Sequence, residues 1–172
     1  ILYKAMGSYE KAEQLYLEAT TIKEKTQGKE HPSYALSLNN PAILYWTMGK
    51  YEKAEPLYLQ AIAIREKKLG KEHPEYASSL NNLALLYLDM GRYEMVEPLQ
   101  LQAKVIREKA LGAAHPDFAE SLGNLAIFYM ATNNYEKAES FYIECSQANQ
   151  ALLEKAIPHL SERELGKYLN KF

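Results

Sequence analysis

The sequence predicts an all-α solenoid built from antiparallel helix pairs that stack along the chain. A phrase close to "HPEYASSLNNLALLY" occurs three times, and its His-Pro pair recurs every 42 residues at His31, His73 and His115. A period of roughly 20 to 50 residues is typical of solenoids and other repeat arrays. Apolar residues recur at helical spacing within each period, and the composition is rich in Ala, Leu, Glu and Lys. Both features favour helices over strands.

The first helix of each pair is predicted to begin at the His-Pro pair. Proline pre-sets the backbone for the first turn, where its missing N–H costs no hydrogen bond, and the preceding histidine could cap the helix. The predicted buried stripe of the middle copy is Tyr76, Leu80, Leu83, Ala84 and Tyr87. Gly91 then ends this helix, because glycine readily adopts the left-handed conformation found at helix ends.

The second helix of each pair is predicted to be longer, at about five turns. In the stretch "RYEMVEPLQLQAKVIREKAL" it ends before Gly112, which is again suited to a helix end. Its predicted buried stripe is Tyr93, Val96, Leu99, Ala103 and Ile106. Each period therefore supplies two helices, each with one buried face.

Pro41 departs from the repeat pattern, since Leu83 and Leu125 stand at the same position in the other copies. Inside a helix, proline removes the backbone hydrogen bond to the carbonyl of Ser37 and can cost about 3 kcal/mol. The sequence therefore predicts a kink beside Asn39. Two interpretations remain open at this point, a widened groove and a tolerated drift without function.

These repeats resemble the tetratricopeptide repeat. The family pattern appears here as Leu83, Ala84, Tyr87, Gly91 and Tyr93, and Val96 departs from the usual alanine. The period of 42 residues and the phrase "YEKAEPLY..A..IRE" are most similar to the repeats of kinesin light chains and of many bacterial scaffold proteins. The resemblance implies a right-handed superhelical solenoid with a concave groove lined by the first helix of each pair.

The resemblance covers residues 1–150, which amount to about three and a half repeats. The first repeat is truncated, because the opening "ILYKAMGSYEKAE" aligns with the middle of the next copy. Residues 151–172 break the period and are expected to form a C-terminal helical extension or the start of a junction. Pro158 is expected to end a helix, and Ser161 with Glu164 is expected to cap another. This tail resembles the junction ahead of caspase-like CHAT protease domains in bacterial proteins.

A second stripe on the first helices is expected to face solvent although it carries little charge. Asparagine both donates and accepts hydrogen bonds, so it can hold the backbone of an extended peptide, and adjacent apolar residues can form shallow pockets. Groove positions contact bound peptide in the resembling family. The predicted peptide-binding residues are Asn39, Asn40, Ile43, Trp46, Ser78, Asn81, Asn82, Leu85, Asp89, Glu120, Asn124 and Ile127.

Structural alternatives exist for some of these residues. Asn40, Asn82 and Asn124 could equally bond the backbone of a neighbouring repeat, whereas the groove role is favoured for Asn39 and Asn81. Trp46 is a candidate anchor if it is exposed, because aromatic residues are enriched at the centres of interfaces. It could equally belong to the core.

Several function classes find no support in the sequence. A net charge of −2 with interspersed signs favours neither nucleic-acid nor membrane binding. No catalytic motif is present, and histidines one repeat apart cannot share a metal ion, so neither an enzyme nor a cofactor is expected. Cys145 occupies the repeat position of Ala61 and Ala103, where a packed, inert thiol is expected. A single cysteine suits a reducing compartment, and the predicted location is cytoplasmic.

The predicted function is therefore a protein-protein interaction scaffold that binds an extended peptide or partner segment in the concave groove. The alternative is a structural or regulatory arm of a larger protein, for example a CHAT protease. Such an arm would act by docking onto its own chain or by self-association through exposed repeat ends.

Overall fold

A computed structural model of the protein describes residues 9–156. These described residues form seven α-helices and no strand. The helices are α1 (Tyr9–Gln27), α2 (Pro32–Thr47), α3 (Tyr51–Leu69), α4 (Pro74–Asp89), α5 (Tyr93–Leu111), α6 (Pro116–Ala131) and α7 (Tyr135–Ala156). None of them has the length and apolar character of a membrane span. The expectations for residues 1–8, Pro158, Ser161 and Glu164 lie outside the described residues.

The chain divides into two compact units, residues 1–106 and residues 107–172. The first unit contains α1 to α4 and most of α5, and the second contains α6 and α7. Helix α7 continues past residue 150 to Ala156. The predicted division between residues 1–150 and 151–172 stays a prediction.

The three first helices, α2, α4 and α6, begin in the same way. Each has proline in its first turn and histidine as its N-cap. Nδ1 of His31, His73 and His115 accepts a hydrogen bond from the backbone N–H two residues further on, at 3.1 Å in each case. A side-chain acceptor at this point satisfies one of the amide groups that a helix start leaves without a partner. The predicted histidine caps are confirmed.

Replacing His73 with alanine is expected to lower the free energy of unfolding by about 1 kcal/mol, because α4 loses its N-terminal cap. His73→Asn is the matched control, since asparagine supplies another acceptor for the same amide. Urea denaturation followed by circular dichroism measures both. Equal losses in the two variants would show that the cap bond contributes nothing.

Glycine ends the helices where the sequence predicted. Gly91 follows the end of α4 with φ of 71°, and Gly112 follows α5 with φ of 86°. Residues with a side chain rarely adopt this region, so glycine closes both helices without strain. Helix α5 is 19 residues long, which agrees with the predicted five turns.

Each helix pair buries the same set of repeat positions against its partner helix. The clusters lie between α2 and α3, between α4 and α5, and between α6 and α7. Their first-helix members are Tyr34, Ala35 and Leu38; Tyr76, Ala77 and Leu80; and Phe118, Ala119 and Leu122. The burial of the same positions in every copy explains why the apolar pattern repeats with the chain.

The predicted stripes agree with this core except at one residue. All five residues of the α4 stripe are buried, and Val96, Ala103 and Ile106 of α5 are buried as well. Leu99 is partly buried and packs against the same cluster. The expectation for Tyr93 is wrong, because its side chain is 42% exposed. It is the first residue of α5, where no preceding helical turn covers the side chain.

Pro41 is buried inside α2, which runs unbroken from Pro32 to Thr47. The carbonyl of Ser37, four residues before the proline, accepts a hydrogen bond from Oγ1 of Thr20 on α1 at 3.1 Å. The same hydroxyl also lies 2.8 Å from the carbonyl of Tyr16 in its own helix, and its single proton can go to only one of the two carbonyls at a time. Thr20 is thus an alternative donor for the carbonyl that proline leaves without its helical partner. The expected kink stays a prediction.

A buried arginine on α3 bonds to α4, the first helix of the next pair. Arg65 of α3 is 2% exposed, and its Nη1 donates to the carbonyl of Glu75 at 3.1 Å and to Oγ of Ser79. Burial lowers the pKa of the Arg65 guanidinium, and the nearby carboxylate of Glu75 opposes this shift. Arginine still stays charged at neutral pH, so its bonds to α4 are charge-assisted.

The same arrangement recurs in the second unit. Arg107 is 3% exposed and donates to the carbonyl of Asp117 and to Oγ of Ser121, both at 2.9 Å. These arginines were not predicted from the sequence. The sequence nevertheless contains a pattern that could have identified them. The triplet "IRE" recurs with the 42-residue period, and a serine lies 14 residues after each of its arginines.

Candidate functional site

The C-terminal ends of α2 and α4 are held by equivalent hydrogen bonds within the first unit. The phenol of Tyr45 donates to Glu13 on α1, and that of Tyr87 donates to Glu55 on α3, both at 2.8 Å. The pKa of each tyrosine is raised to about 12, mainly by burial and to a smaller extent by the hydrogen bond to the carboxylate. Both phenols therefore remain donors at neutral pH and hold the helix ends that carry Trp46 and Asp89.

The second stripe of α2 and α4 is largely accessible, as predicted. Its members Asn40, Thr47 and Asp89 are accessible to solvent, and Leu36 is 58% exposed. Those with partial exposure are Ile43, Trp46, Ser78, Asn82, Leu85 and Leu88. The hydroxyl of Ser78 donates to the carbonyl of Pro74 in its own helix at 3.1 Å.

The expectation that Asn81 faces solvent is wrong, because its side chain is only 1% exposed. Asn81 lies four residues after Ala77 and three before Ala84, both of which are fully buried. Positions three and four apart share one face of a helix, so Asn81 belongs to the packed face. Asn39 is partly buried, and its side-chain oxygen is enclosed without a hydrogen-bond partner among the described residues. Asn40 and Asn82 are thus the more accessible member of each pair.

Trp46 and Asp89 come together between the ends of α2 and α4. Nε1 of the indole donates to Oδ2 of the carboxylate at 2.7 Å. An open pocket of about 660 Å³ lies beside them, with Ile43, Thr47 and Tyr51 also in its lining. Trp46 is therefore neither a core residue nor a fully exposed one, since it covers one wall of the pocket with part of its ring in solvent.

The described lining of the pocket carries a single formal charge. Asp89 is the only carboxylate that residues 9–156 contribute to it, and no lysine or arginine from this part of the chain lines it. Among residues 9–156, the hydrogen bond from Trp46 is the polar contact that Asp89 makes, and no ion pair involves it. The pocket combines an aromatic wall, an aliphatic wall and one accessible carboxylate.

In the second unit, α6 carries the remaining predicted residues. Ile127 is 47% exposed, and Asn124 is partly buried and interacts within the protein. The carboxylate of Glu120 lies 3.5 Å from Nη1 of Arg107, with the glutamate side chain 52% exposed. Gly123 occupies the repeat position of the buried Asn81.

The expected packing of Cys145 agrees with the structure. Its side chain is partly buried against the cluster of α6 and α7, and Sγ donates to the carbonyl of Ala119 at 3.3 Å. Within the described part of the chain, no group of three or more His, Cys, Asp or Glu side chains is arranged to hold a metal ion.

Sequence reasoning found both members of the Trp46–Asp89 pair but not their contact. The two residues are 43 positions apart, which is one repeat plus one residue. This spacing places them at adjacent positions on consecutive first helices. The loop residues beside them in the pocket, Met48 and Gly49, were not predicted.

Comparison with solved structures supports the resemblance to kinesin light chains. BtubC (BKLC) from P. vanneervenii is 26% identical, with a TM-score of 0.77 over 88% of this chain and 60% of that protein. A solved structure of a putative kinesin light chain of Podosopora anserina with nearly identical TPR-like repeats carries a single substitution and is 30% identical to this chain. Its TM-score is 0.73 over 89% of this chain and 72% of that one. A second structure of the Podosopora anserina protein gives 29% identity and a TM-score of 0.69, over 92% of this chain and 72% of that one.

The chain thus spans less than two thirds of BtubC. The sequence has no significant match among curated proteins. The predicted fold class, an all-α repeat solenoid, is confirmed by these structural neighbours and by the helices of the described residues. The sequence profile of the tetratricopeptide repeat matches residues 1–67, 42–109 and 75–151. This chain belongs to the tetratricopeptide repeat family.

Proposed function

We propose that this protein is an interaction scaffold that binds an extended peptide segment along its first helices. Tetratricopeptide repeats generally serve as protein-interaction scaffolds and are typically non-enzymatic. The binding surface proposed here, called the first-helix surface, consists of Asn40, Ile43 and Trp46 of α2 with Ser78, Asn82, Leu85 and Asp89 of α4. Glu120, Asn124 and Ile127 of α6 are proposed to act in the same way.

The open pocket beside Trp46 is the observation that carries this proposal. An indole, a group enriched at interface centres, lines it, and an aliphatic side chain, Ile43, lies next to the indole. A side chain of a bound peptide can enter such a pocket. The exposed amide of Asn40 and the partly exposed amide of Asn82 provide donors and acceptors for the peptide backbone.

The test compares the wild-type protein with the double variant Asn40→Ala/Asn82→Ala on an array of peptides. We expect the affinity of bound peptides to fall by about ten- to a hundredfold, because each amide contributes one or two hydrogen bonds. The melting curve should stay unchanged, since both side chains lie at the surface. Asn149→Ala on α7, another exposed asparagine, is the matched control.

The double variant avoids Asn81 because that side chain is buried. Asn81→Ala is expected to lower the melting temperature and would confuse lost packing with lost binding. A folded Asn40→Ala/Asn82→Ala protein that keeps all its peptide partners would contradict the proposal. Binding would then have to use the outer faces of the second helices or the ends of the array.

A further inference from the structure

The pocket at Trp46 differs chemically from the corresponding places in the other repeats. Leu88 and Met130 stand at the repeat position of Trp46, and Thr47 stands at that of Asp89. An indole next to a carboxylate therefore occurs at one junction of first helices. A general backbone-binding surface needs no such difference, so this pair is suited to recognise a particular group of the ligand.

The carboxylate of Asp89 is oriented but not neutralised. One of its oxygens, Oδ2, accepts the indole N–H at 2.7 Å, which fixes the carboxylate at the pocket wall. A carboxylate has about four acceptor positions on its two oxygens, and the indole uses one. Since no cation among the described residues pairs with it, Asp89 can accept hydrogen bonds from a basic group that enters the pocket.

Trp46 adds a second preference for a cation. The face of an indole ring attracts an ammonium or guanidinium group that lies within about 6 Å of its centre. The aliphatic stem of a lysine or arginine can also pack against Ile43 while its charged end remains in water. Carboxylate, indole and aliphatic wall together match a long basic side chain better than an acidic or a short polar one.

We infer that the pocket formed by Ile43, Trp46 and Asp89 is the specificity subsite for a lysine or arginine of an extended peptide bound on the first-helix surface. This inference rests on the proposed function. It identifies the partner as a segment with a basic residue at one defined position. The rest of the segment is held through its backbone, so its other side chains are less constrained.

The experiment begins with selection of binders from a random library of short peptides displayed on phage, using the wild-type protein. The most enriched peptide is synthesised in two forms, one as selected and one with its basic residue replaced by norleucine. Binding is followed by the emission of Trp46, which is the single tryptophan of the chain. A change in emission therefore reports directly on the pocket.

Asp89→Asn is the informative variant, because the amide oxygen can still accept the indole N–H while the charge is lost. We expect this variant to bind the basic peptide about tenfold more weakly, with a smaller dependence on salt. Its affinity for the norleucine peptide should equal that of the wild type. Glu94→Gln, which removes an exposed charge on α5 outside the pocket, should change neither affinity.

The outcomes separate this inference from the proposed function. The subsite assignment is overturned if the selected peptides share no basic residue. It is also overturned if Asp89→Asn binds them as tightly as the wild type. The scaffold proposal still stands in either case, provided that Asn40→Ala/Asn82→Ala binds the peptides more weakly. If no selected peptide depends on Asn40 and Asn82, both are overturned.

Discussion

Replacing Arg65 with alanine is expected to lower the free energy of unfolding by about 3 kcal/mol, because a buried side chain and two charge-assisted hydrogen bonds are lost together. The guanidinium is 2% exposed and bonds the carbonyl of Glu75 and the hydroxyl of Ser79. These contacts join α3 to α4, so their loss weakens the junction of two consecutive helix pairs. Urea denaturation followed by circular dichroism measures the effect.

Two further variants separate the causes of this loss. Arg65→Met keeps most of the volume and removes the charge, and it should cost about 1 kcal/mol, because the desolvation of a buried ion is avoided. Lys67→Ala removes an exposed lysine of the same helix that pairs with Glu30, and it should leave stability unchanged. If Arg65→Ala were no more harmful than Lys67→Ala, the arginine contacts would have no part in joining the repeats.

Replacing Pro41 with leucine is expected to raise the free energy of unfolding by about 2 to 3 kcal/mol, because the backbone N–H of α2 is restored and the ring no longer crowds the preceding turn. The space is suitable, since Leu83 and Leu125 fill the equivalent positions with exposures of 3% and 0%. Thermal and urea denaturation of the single variant measure the gain.

Thr20 makes this prediction specific, because its hydroxyl is shared between the carbonyl of Tyr16 and the Ser37 carbonyl that Pro41 leaves without its helical donor. Thr20→Val should cost about 1 to 2 kcal/mol when proline is present and less when leucine supplies the donor. A double-mutant cycle measures this coupling. Independent effects of the two substitutions would show that the threonine does not compensate for the proline.

Compensation by Thr20 also bears on the two interpretations of Pro41. The equivalents of Thr20 in the next two copies are Ile62 and Lys104, neither of which carries a hydroxyl, and their partner helices have leucine rather than proline. Proline and its substitute donor thus face each other across the same junction between consecutive repeats. This pairing accounts for a tolerated proline without any role in binding.

The fold was almost entirely predictable from the sequence. The 42-residue period located every repeat, His-Pro pairs marked the starts of α2, α4 and α6, and glycines marked the ends of α4 and α5. These signals are local, because a cap or a helix end depends on residues within one turn. The stripe of α4 was equally clear, since helical spacing alone puts Tyr76, Leu80 and Tyr87 on one face.

The site was predictable only in part. The stripe of Asn40, Ile43 and Trp46 was found at the surface, but the preference for Asn81 over Asn82 was wrong, because Asn81 is buried. Neighbouring residues on a helix differ in direction by about 100°, so a small change in how two helices pack decides which of them is covered. Spacing within one helix cannot settle that choice.

The sequence by itself determined the repeat family, the helix limits and the residues that form each helix-pair core, because all three depend on periodicity along the chain. Only the tertiary structure decided which asparagine faces solvent, that Arg65 bonds Ser79 of the next helix pair, and that the indole of Trp46 donates to Asp89. Each of these depends on the packing of one repeat against the next, which brings together residues from different helices at distances that local spacing does not specify.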